Sequence, residues 1–283
     1  MTATPRISVV VPCHNYGRFL GEALESVLAQ ALPPTEIVVV DDGSSDDTLA
    51  VASRYPVRVI SRSPARGAPR TFNDGVAATS EVLFTILSAD DRLHPRFLEA
   101  TAAALSRDPG AAFAYVQAET FGAMAGQTIG GPFNARKLRY TNYLVGTALM
   151  RREAWDRTGG YALDLAGGLE DWDLWLSYIE HGMYGVYVPE VLFLYRRYAA
   201  VSRNTVDVGA WFRLYRQIRR RHPRLFRGPQ WWLDVDFVAA RLVYMVGDLA
   251  AGRGSPLLLM LYERWVARRG RRPLPGPGAD TGR

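Results

Sequence analysis

A single cysteine, Cys13, stands among 283 residues, so no disulfide can form within the chain, and a lone thiol fits a reducing compartment. No stretch approaches the roughly 20 apolar residues that span a bilayer, because Arg241, Asp248 and Arg253 interrupt the best C-terminal candidate. The amino terminus lacks a charged segment, apolar core and small-residue cleavage site, since Ile7 to Pro12 is too short for a signal-peptide core. The expectation is a cytoplasmic protein that is not integral to a membrane. Internal repeats are missing too, and with 48% apolar and 22% charged residues neither disorder nor a fibrous repeat is indicated.

The length suits one sizeable core with an appendage rather than two full domains. Charge marks the appendage. Residues 206–283 carry 15 arginines against 6 acids, a surplus of nine, whereas residues 1–205 are three charges negative. The expected division is therefore a folded domain over 1–205 and a helical, arginine-rich extension over 206–283.

Short β-branched runs alternate with amphipathic patterns in the first half, as in a mostly parallel α/β sheet with crossover helices. Strands are expected at Ile7 to Val11, Glu36 to Val40, Val57 to Ile60 and Val82 to Leu87. Helices are expected over residues 17–30, from Ser44 and Ser45 to Tyr55, over Thr71 to Ala78, and from Pro95 onward. Beyond Ala111, strands are expected at Ala112 to Gln117, Tyr143 to Met150, Tyr184 to Val188 and Val191 to Tyr195, with a helix over Glu170 to Ile179. After Asn204 the pattern is helical, at Val208 to Arg221, Gln230 to Leu249 and Pro256 to Arg269.

Ligands of an open α/β sheet bind at the carboxyl ends of its strands, near the reversal of strand order. Two acid groups fall at such ends, Asp41 with Asp42 and Asp90 with Asp91, and a third, Glu170 with Asp171, follows Ala166, Gly167 and Gly168. One such site has an ordinary explanation, since Asp favours turns and caps. Three in order point to a site.

The ordered set Val10 to Tyr16, Val39 to Asp46 with Thr48, Gly67, Asn73, Gly75, Leu87 to Asp91, Gly146 to Arg151, Gly159 to Tyr161, and Glu170, Asp171, Leu174 and Trp175 resembles the family 2 glycosyltransferases of the GT-A fold. The resemblance runs from Ile7 to about Ser202. It implies a metal-assisted, inverting transferase in which Pro12, His14, Asn15, Tyr16 and Asp42 hold the base and ribose of a nucleotide sugar, Asp42 accepting from a ring N–H. Arg66 and Arg70 would reach the base or phosphates. Asp91 first and Asp90 second would hold Mn²⁺ or Mg²⁺, Asp90 also meeting the ribose, because a departing diphosphate gathers charge that a hard cation neutralises.

The resemblance also makes Asp171, with Glu170, the catalytic acid pair, Asp171 removing the proton of the acceptor hydroxyl. Gly160, Tyr161 and Trp172 would lie on the acceptor side. Two departures stand out: Ser88 replaces the Asp common in the family two residues before Asp90, and Tyr198 sits where the family often carries His, a better metal ligand than a phenol. The implied partners are a UDP-sugar first, with GDP and dTDP open, and a bacterial surface polysaccharide or lipid-linked glycan as acceptor.

Two other enzymatic or binding readings compete. A sugar nucleotidyltransferase would need a Gly-rich phosphate loop after the first strand, and no glycine precedes Gly17 there. A non-catalytic nucleotide-sugar binder would be expected to lack Asp171 or the acid pair. The basic tail fits no nucleic-acid module. Its arginines interleaved with Trp211, Phe212, Tyr215, Ile218 and Leu225 suit either docking on an anionic membrane surface, which would place the protein on the inner face of the plasma membrane, or packing on the catalytic domain or a second subunit.

Overall fold

A computed structural model describes residues 4–139, 141–165, 168–198 and 208–226, without the side chains of 208–212. Strand β1 (Ile7–Cys13) is buried along its whole length, which a strand inside a doubly covered sheet requires. It pairs in parallel with β2 (Glu36–Asp41), Val10 opposite Val38, and with β4 (Leu83–Ile86), Val10 opposite Ile86. Strand β3 (Arg58–Ser61) extends this parallel half beyond β2. The strand order therefore reverses beside β1, and the carboxyl ends of β1, β2 and β4 share one edge.

Side-chain alternation sends Ile7, Val9, Val11 and Cys13 into one core, with Leu20, Ala23, Leu24 and Val27 of α1 (Gly17–Leu28) and with Phe97 and Leu98 of α4 (Phe97–Arg107). Val10, Val38 and Val40 face the other core with Val76 of α3 (Ala68–Ala77). Helix α3 seats so close that a Cβ on Gly75 would come within 2.3 Å of Val10 Cγ1. The single helix turn and a half of α2 (Thr48–Ala52) is shorter than expected. Ser44 does not cap it; its amide donates to Asp41 Oδ1 (3.1 Å) and its hydroxyl accepts from the Asn15 amide (2.9 Å).

Beyond β4 the sheet is mixed, in the order β4, β8 (Leu149–Arg151), β6 (Phe113–Gly122), β9 (Gly185–Arg197) and β5 (Arg92–Leu93). Strand β8 is antiparallel to both β4 and β6, while β9 runs parallel to β6. The two strands expected at 184–195 are one strand, kept continuous by register shifts around Gln117. The strand expected from Tyr143 is limited to β8: Tyr143, Leu144 and Val145 are buried by packing rather than by pairing. Strand β5, on the antiparallel edge against β9, and the β7 hairpin partner of β6 (Thr128–Ile129) were not foreseen. Nor were the short helices α5 (Ala135–Leu138) and α6 (Arg152–Thr158).

Helix α7 (Glu170–Glu180) lies where expected, and α8 (Val208–Arg221) follows. Tyr215, Ile218 and Leu225 are buried in the same core as Trp172 and Trp175, so the described part of the extension packs against α7 and the residues around it. Residues expected as helices over 230–249 and 256–269, and Ala166, Gly167 and Ser202, lie outside the described residues.

Candidate active site

At the edge shared by β1 and β2, two neighbouring carboxylates are fixed locally. Asp41, 1% exposed, accepts from the Ser61 hydroxyl (2.8 Å) as well as from Ser44. Asp42, 4% exposed, accepts from the amides of Arg66 (2.9 Å) and Gly67 (2.8 Å), and Arg62 Nε lies 3.3 Å from Oδ1. Both Asp42 oxygens are thus engaged by the segment before α3, and a base N–H would use their remaining lone pairs. Arg66 reaches this site through its backbone. Arg62, absent from the sequence reading, is the arginine whose side chain meets Asp42, and it also pairs with Asp74.

His14 faces the Asp42 carbonyl through Nδ1 at 2.8 Å, and Asn15 accepts from the Ser45 amide at 2.8 Å. Asn15 adopts the left-handed backbone region (φ 57°), tolerated by Asn better than by most residues. The turn after Pro12 and the turn after β2 are therefore laced together. Cys13 beneath them is buried against Thr48, and burial pushes its thiol up to about 11, which makes it inert at neutral pH.

The second acid pair follows β4, and its two carboxylates differ in exposure. Asp91 is 3% exposed and its Oδ1 is occupied by the Arg196 amide (2.8 Å); burial, then the charge of Asp90, raises its pKa well above the usual range. Asp90 is half-buried and is the carboxylate the fold presents. Tyr198 donates to its Oδ2 at 2.8 Å, and the Arg196 guanidinium donates to its carbonyl at 2.8 Å. The Tyr198 ring stacks on Tyr16 (6.5 Å, 22°), which joins the β1 turn to the Asp90 turn. Burial and this bond to Asp90 both raise the phenol's pKa, so Tyr198 stays a donor.

Among the described residues no three His, Cys, Asp or Glu side chains cluster to hold a metal. One presented carboxylate with hard oxygen donors still fits Mg²⁺ or Mn²⁺, ions commonly held by one or two carboxylates plus substrate phosphates.

The third acid pair opens α7, entered through Gly168 (φ 121°) and Leu169 (φ 66°). A left-handed leucine is strained, and such strain is found where the surroundings fix a functional turn. Asp171 accepts from the Trp172 amide (2.8 Å) and from Asn142 Nδ2 (3.0 Å). Burial raises its pKa, opposed chiefly by the Asn142 bond, which suits a proton acceptor better than an ordinary surface carboxylate. Tyr161 is buried close enough that Asp171 and Glu170, after burial itself, push its phenol up. Asn73 clamps the Tyr161 backbone with both amide atoms, donating to its carbonyl (2.8 Å) and accepting from its N–H (2.9 Å). Gly160 (φ 78°) lets this loop pass Trp155, since a Cβ there would come within 2.7 Å of the indole.

Trp172, expected on the acceptor side, lies in the core. It is 1% exposed, donates from Nε1 to the Leu138 carbonyl (2.5 Å) and stacks on Tyr215 (5.7 Å, 20°). The turn below it carries an ion cluster that the sequence reading missed. Buried His222, at the end of α8, sets Nε2 2.9 Å from Asp173 Oδ1 and Nδ1 3.1 Å from Glu180 Oε2, while Arg221 Nε reaches the same Asp173 oxygen at 2.9 Å.

The family model described as glycosyl transferase family 2 matches residues 8–162. The putative glycosyltransferase EpsE of Bacillus subtilis (strain 168) is 26% identical over 207 residues, which are 69% of this chain and 74% of EpsE. An uncharacterized protein of Mycobacterium tuberculosis (strain CDC 1551 / Oshkosh) is 32% identical over 228 residues, 72% of this chain and 70% of that protein. Among solved structures, S. aureus TarS 1–349 in complex with UDP-GlcNAc superposes with a TM-score of 0.63 at 17% identity, over 75% of this chain and 65% of TarS 1–349. Mannosyltransferase PcManGT from Pyrobaculum calidifontis, in complex with GDP-Man and Mn²⁺, gives 0.60 at 19% identity over 94% of this chain and 81% of its own. These two likenesses establish the GT-A fold.

Proposed function

The chain belongs to glycosyl transferase family 2, and from that premise we propose that it moves a sugar from a nucleoside diphosphate sugar, a UDP-sugar first, to an acceptor hydroxyl with inversion. The observation that carries the reading is the placement of three acid groups. Asp42 and Asp90 stand at the carboxyl ends of β2 and β4, and Asp171 heads α7 with its pKa raised by burial. The nucleotide sugars bound by TarS and PcManGT, which share the fold, support this donor class.

In this reading the turns of residues 12–16 and 42–45 and the amides around Asp42 hold the nucleotide. Asp90, oriented by Tyr198 and Arg196, would hold Mn²⁺ or Mg²⁺, an ion that, when bound, offsets the charge gathering on the departing diphosphate. Asp171 takes the proton of the acceptor hydroxyl as that oxygen bonds to the anomeric carbon. The bond from that carbon to the diphosphate breaks on the opposite face, and the nucleoside diphosphate leaves with the electron pair. Buried Tyr161, locked by Asn73, fixes the wall beside the base.

The acceptor is a bacterial surface polysaccharide or lipid-linked glycan, approached at the inner face of the plasma membrane. No helix among the described residues is long and apolar enough to cross a membrane. Because Tyr215, Ile218 and Leu225 are buried, contact with an anionic leaflet would rest on exposed arginines such as Arg216, Arg220 and Arg224.

A panel of nucleotide sugars, scored by thermal stabilisation with Mn²⁺ and with chelator, tests the donor and the metal together. A UDP-sugar should stabilise the protein most, and only with the ion. Stabilisation indifferent to chelator would exclude the metal-assisted reading, and none by any nucleotide sugar would exclude the donor. Flotation of the same protein with anionic vesicles at low salt, lost at high salt, tests the docking; protein that stays at the bottom refutes it.

A further inference from the structure

We propose that Asn142 is a positioning residue for the transfer, its side-chain amide holding the Asp171 carboxylate in the orientation from which it takes the proton. The inference rests on Asp171 being the base. Asn142 belongs to no strand or helix, and its amide nitrogen reaches Asp171 Oδ2 at 3.0 Å across 29 residues of chain. Its own oxygen, Oδ1, is buried with no hydrogen-bond partner among the described residues. A buried amide that leaves its acceptor unmade carries a desolvation cost, and such groups call for an explanation. The bond to Asp171 supplies one, because it is the polar contact that the side chain makes.

The segment around Asn142 is anchored on both sides, so the amide is delivered rather than free to wander. Before it, the Leu138 carbonyl accepts from Trp172 Nε1 at 2.5 Å, tying the segment to the residue next to the base. After it, Tyr143 accepts from the Asn134 amide at 2.7 Å and donates to the Pro132 carbonyl at 3.0 Å. Gly146 passes close by: a Cβ on it would lie 3.6 Å from Asp171 Cβ. Among the described residues, Glu170 beside it on α7 and Tyr161 from the loop after α6 are titratable groups near Asp171, and neither is cationic. The Asn142 N–H is therefore the side-chain donor that favours the ionised base against burial.

The test follows the carboxyl signals of the full-length protein labelled with ¹³C at aspartate Cγ through a pH titration, with Asp171→Asn assigning the signal. Removing the donor in Asn142→Ala should raise the Asp171 midpoint by about one pH unit, roughly a tenfold loss of ionised base at any pH below it. Asn142→Asp, of the same shape, should raise it further through like charge. In parallel, nucleoside diphosphate release is measured with UDP-GlcNAc and GDP-Man, water serving as acceptor. With whichever donor the wild type hydrolyses, Asn142→Ala should lose most at acid pH and recover toward alkaline pH, with the donor KM unchanged. A midpoint that stays put in both Asn142 variants, while Asp171→Asn abolishes release, overturns the role of Asn142 alone. Release at the wild-type rate in Asp171→Asn overturns the base, and the positioning role with it.

Discussion

The acids at the sheet edge and the acid at the head of α7 are held in opposite ways. Asp41 and Asp42 are fixed by main-chain amides within about 25 residues, with Ser61 and Arg62 completing the shell. Asp171 has one main-chain donor, the neighbouring Trp172 amide, and depends for its other oxygen on a side-chain amide from a different segment, with its helix anchored from below at His222. Main-chain donors survive every substitution except proline, whereas a side-chain donor is lost in most. The sheet edge is thus built to persist through sequence change, and the head of α7 is built from separable pieces whose strength can be adjusted one residue at a time.

The sharpest way to test this contrast is to remove the base while leaving the edge intact. Asp171→Asn keeps the shape and the neighbouring amides, so sugar transfer should fall by about 10²- to 10⁴-fold while donor affinity stays within about twofold. The wild-type rate should itself decline as pH drops through a midpoint above the ordinary ~3.9 of an aspartate. Burial favours the protonated form of Asp171, and only the ionised form accepts the proton. Steady-state kinetics with a turned-over donor decide the matter: near-normal transfer in Asp171→Asn would erase the distinction between the two ends.

The second test breaks the support beneath α7. His222 presents its two ring nitrogens to two different carboxylates in a buried setting, and His222→Ala would leave Asp173 and Glu180 with only part of their partners. Taking a hydrogen-bond partner from two largely buried carboxylates costs on the order of 3 kcal/mol, to be read as a fall in the urea midpoint. Arg221, whose side chain is 37% exposed, should cost less than about 1 kcal/mol as Arg221→Ala. Equal effects from the two variants would mean that α8 is held by its apolar residues rather than by the buried histidine.

How much of this was legible in the sequence follows the same division. The turns after β2 and β4 lie next to their strands, so the runs Glu36 to Val40 and Val82 to Leu87 located Asp41, Asp42, Asp90 and Asp91. Glu170 and Asp171 were legible because a helix pattern follows them. Exposure was not legible: adjacent Asp90 and Asp91 look equivalent until β9 arrives and the Arg196 amide takes one of them. Asn142 and Asn73 act across 29 and 88 residues, and no local pattern records such a pairing. The expectation for Tyr143 to Met150 failed because burial without pairing reads like a strand. The aromatic pattern of the extension was ambiguous for a related reason, since a face that packs on α7 and one that meets lipid share the same spacing.

The smallest expected effect lies at the point where the edge departs from its own rule. Asp90 is held by a side chain, the Tyr198 phenol, as well as by the Arg196 bond to its carbonyl, so it should respond to substitution as Asp171 does and Asp42 does not. Tyr198→Phe keeps the ring that stacks on Tyr16 and lies 5.9 Å from Phe19, and removes only the hydroxyl. Groups that orient a metal-binding carboxylate typically contribute at least about tenfold to metal affinity, and about tenfold weaker Mn²⁺-dependent donor binding is expected, with metal-free binding unaltered. Calorimetric titration of Mn²⁺ into the protein saturated with the donor that stabilises it measures this directly. An unchanged affinity would make Tyr198 a packing residue and place Asp90 with the acids whose positions side-chain substitution cannot reach.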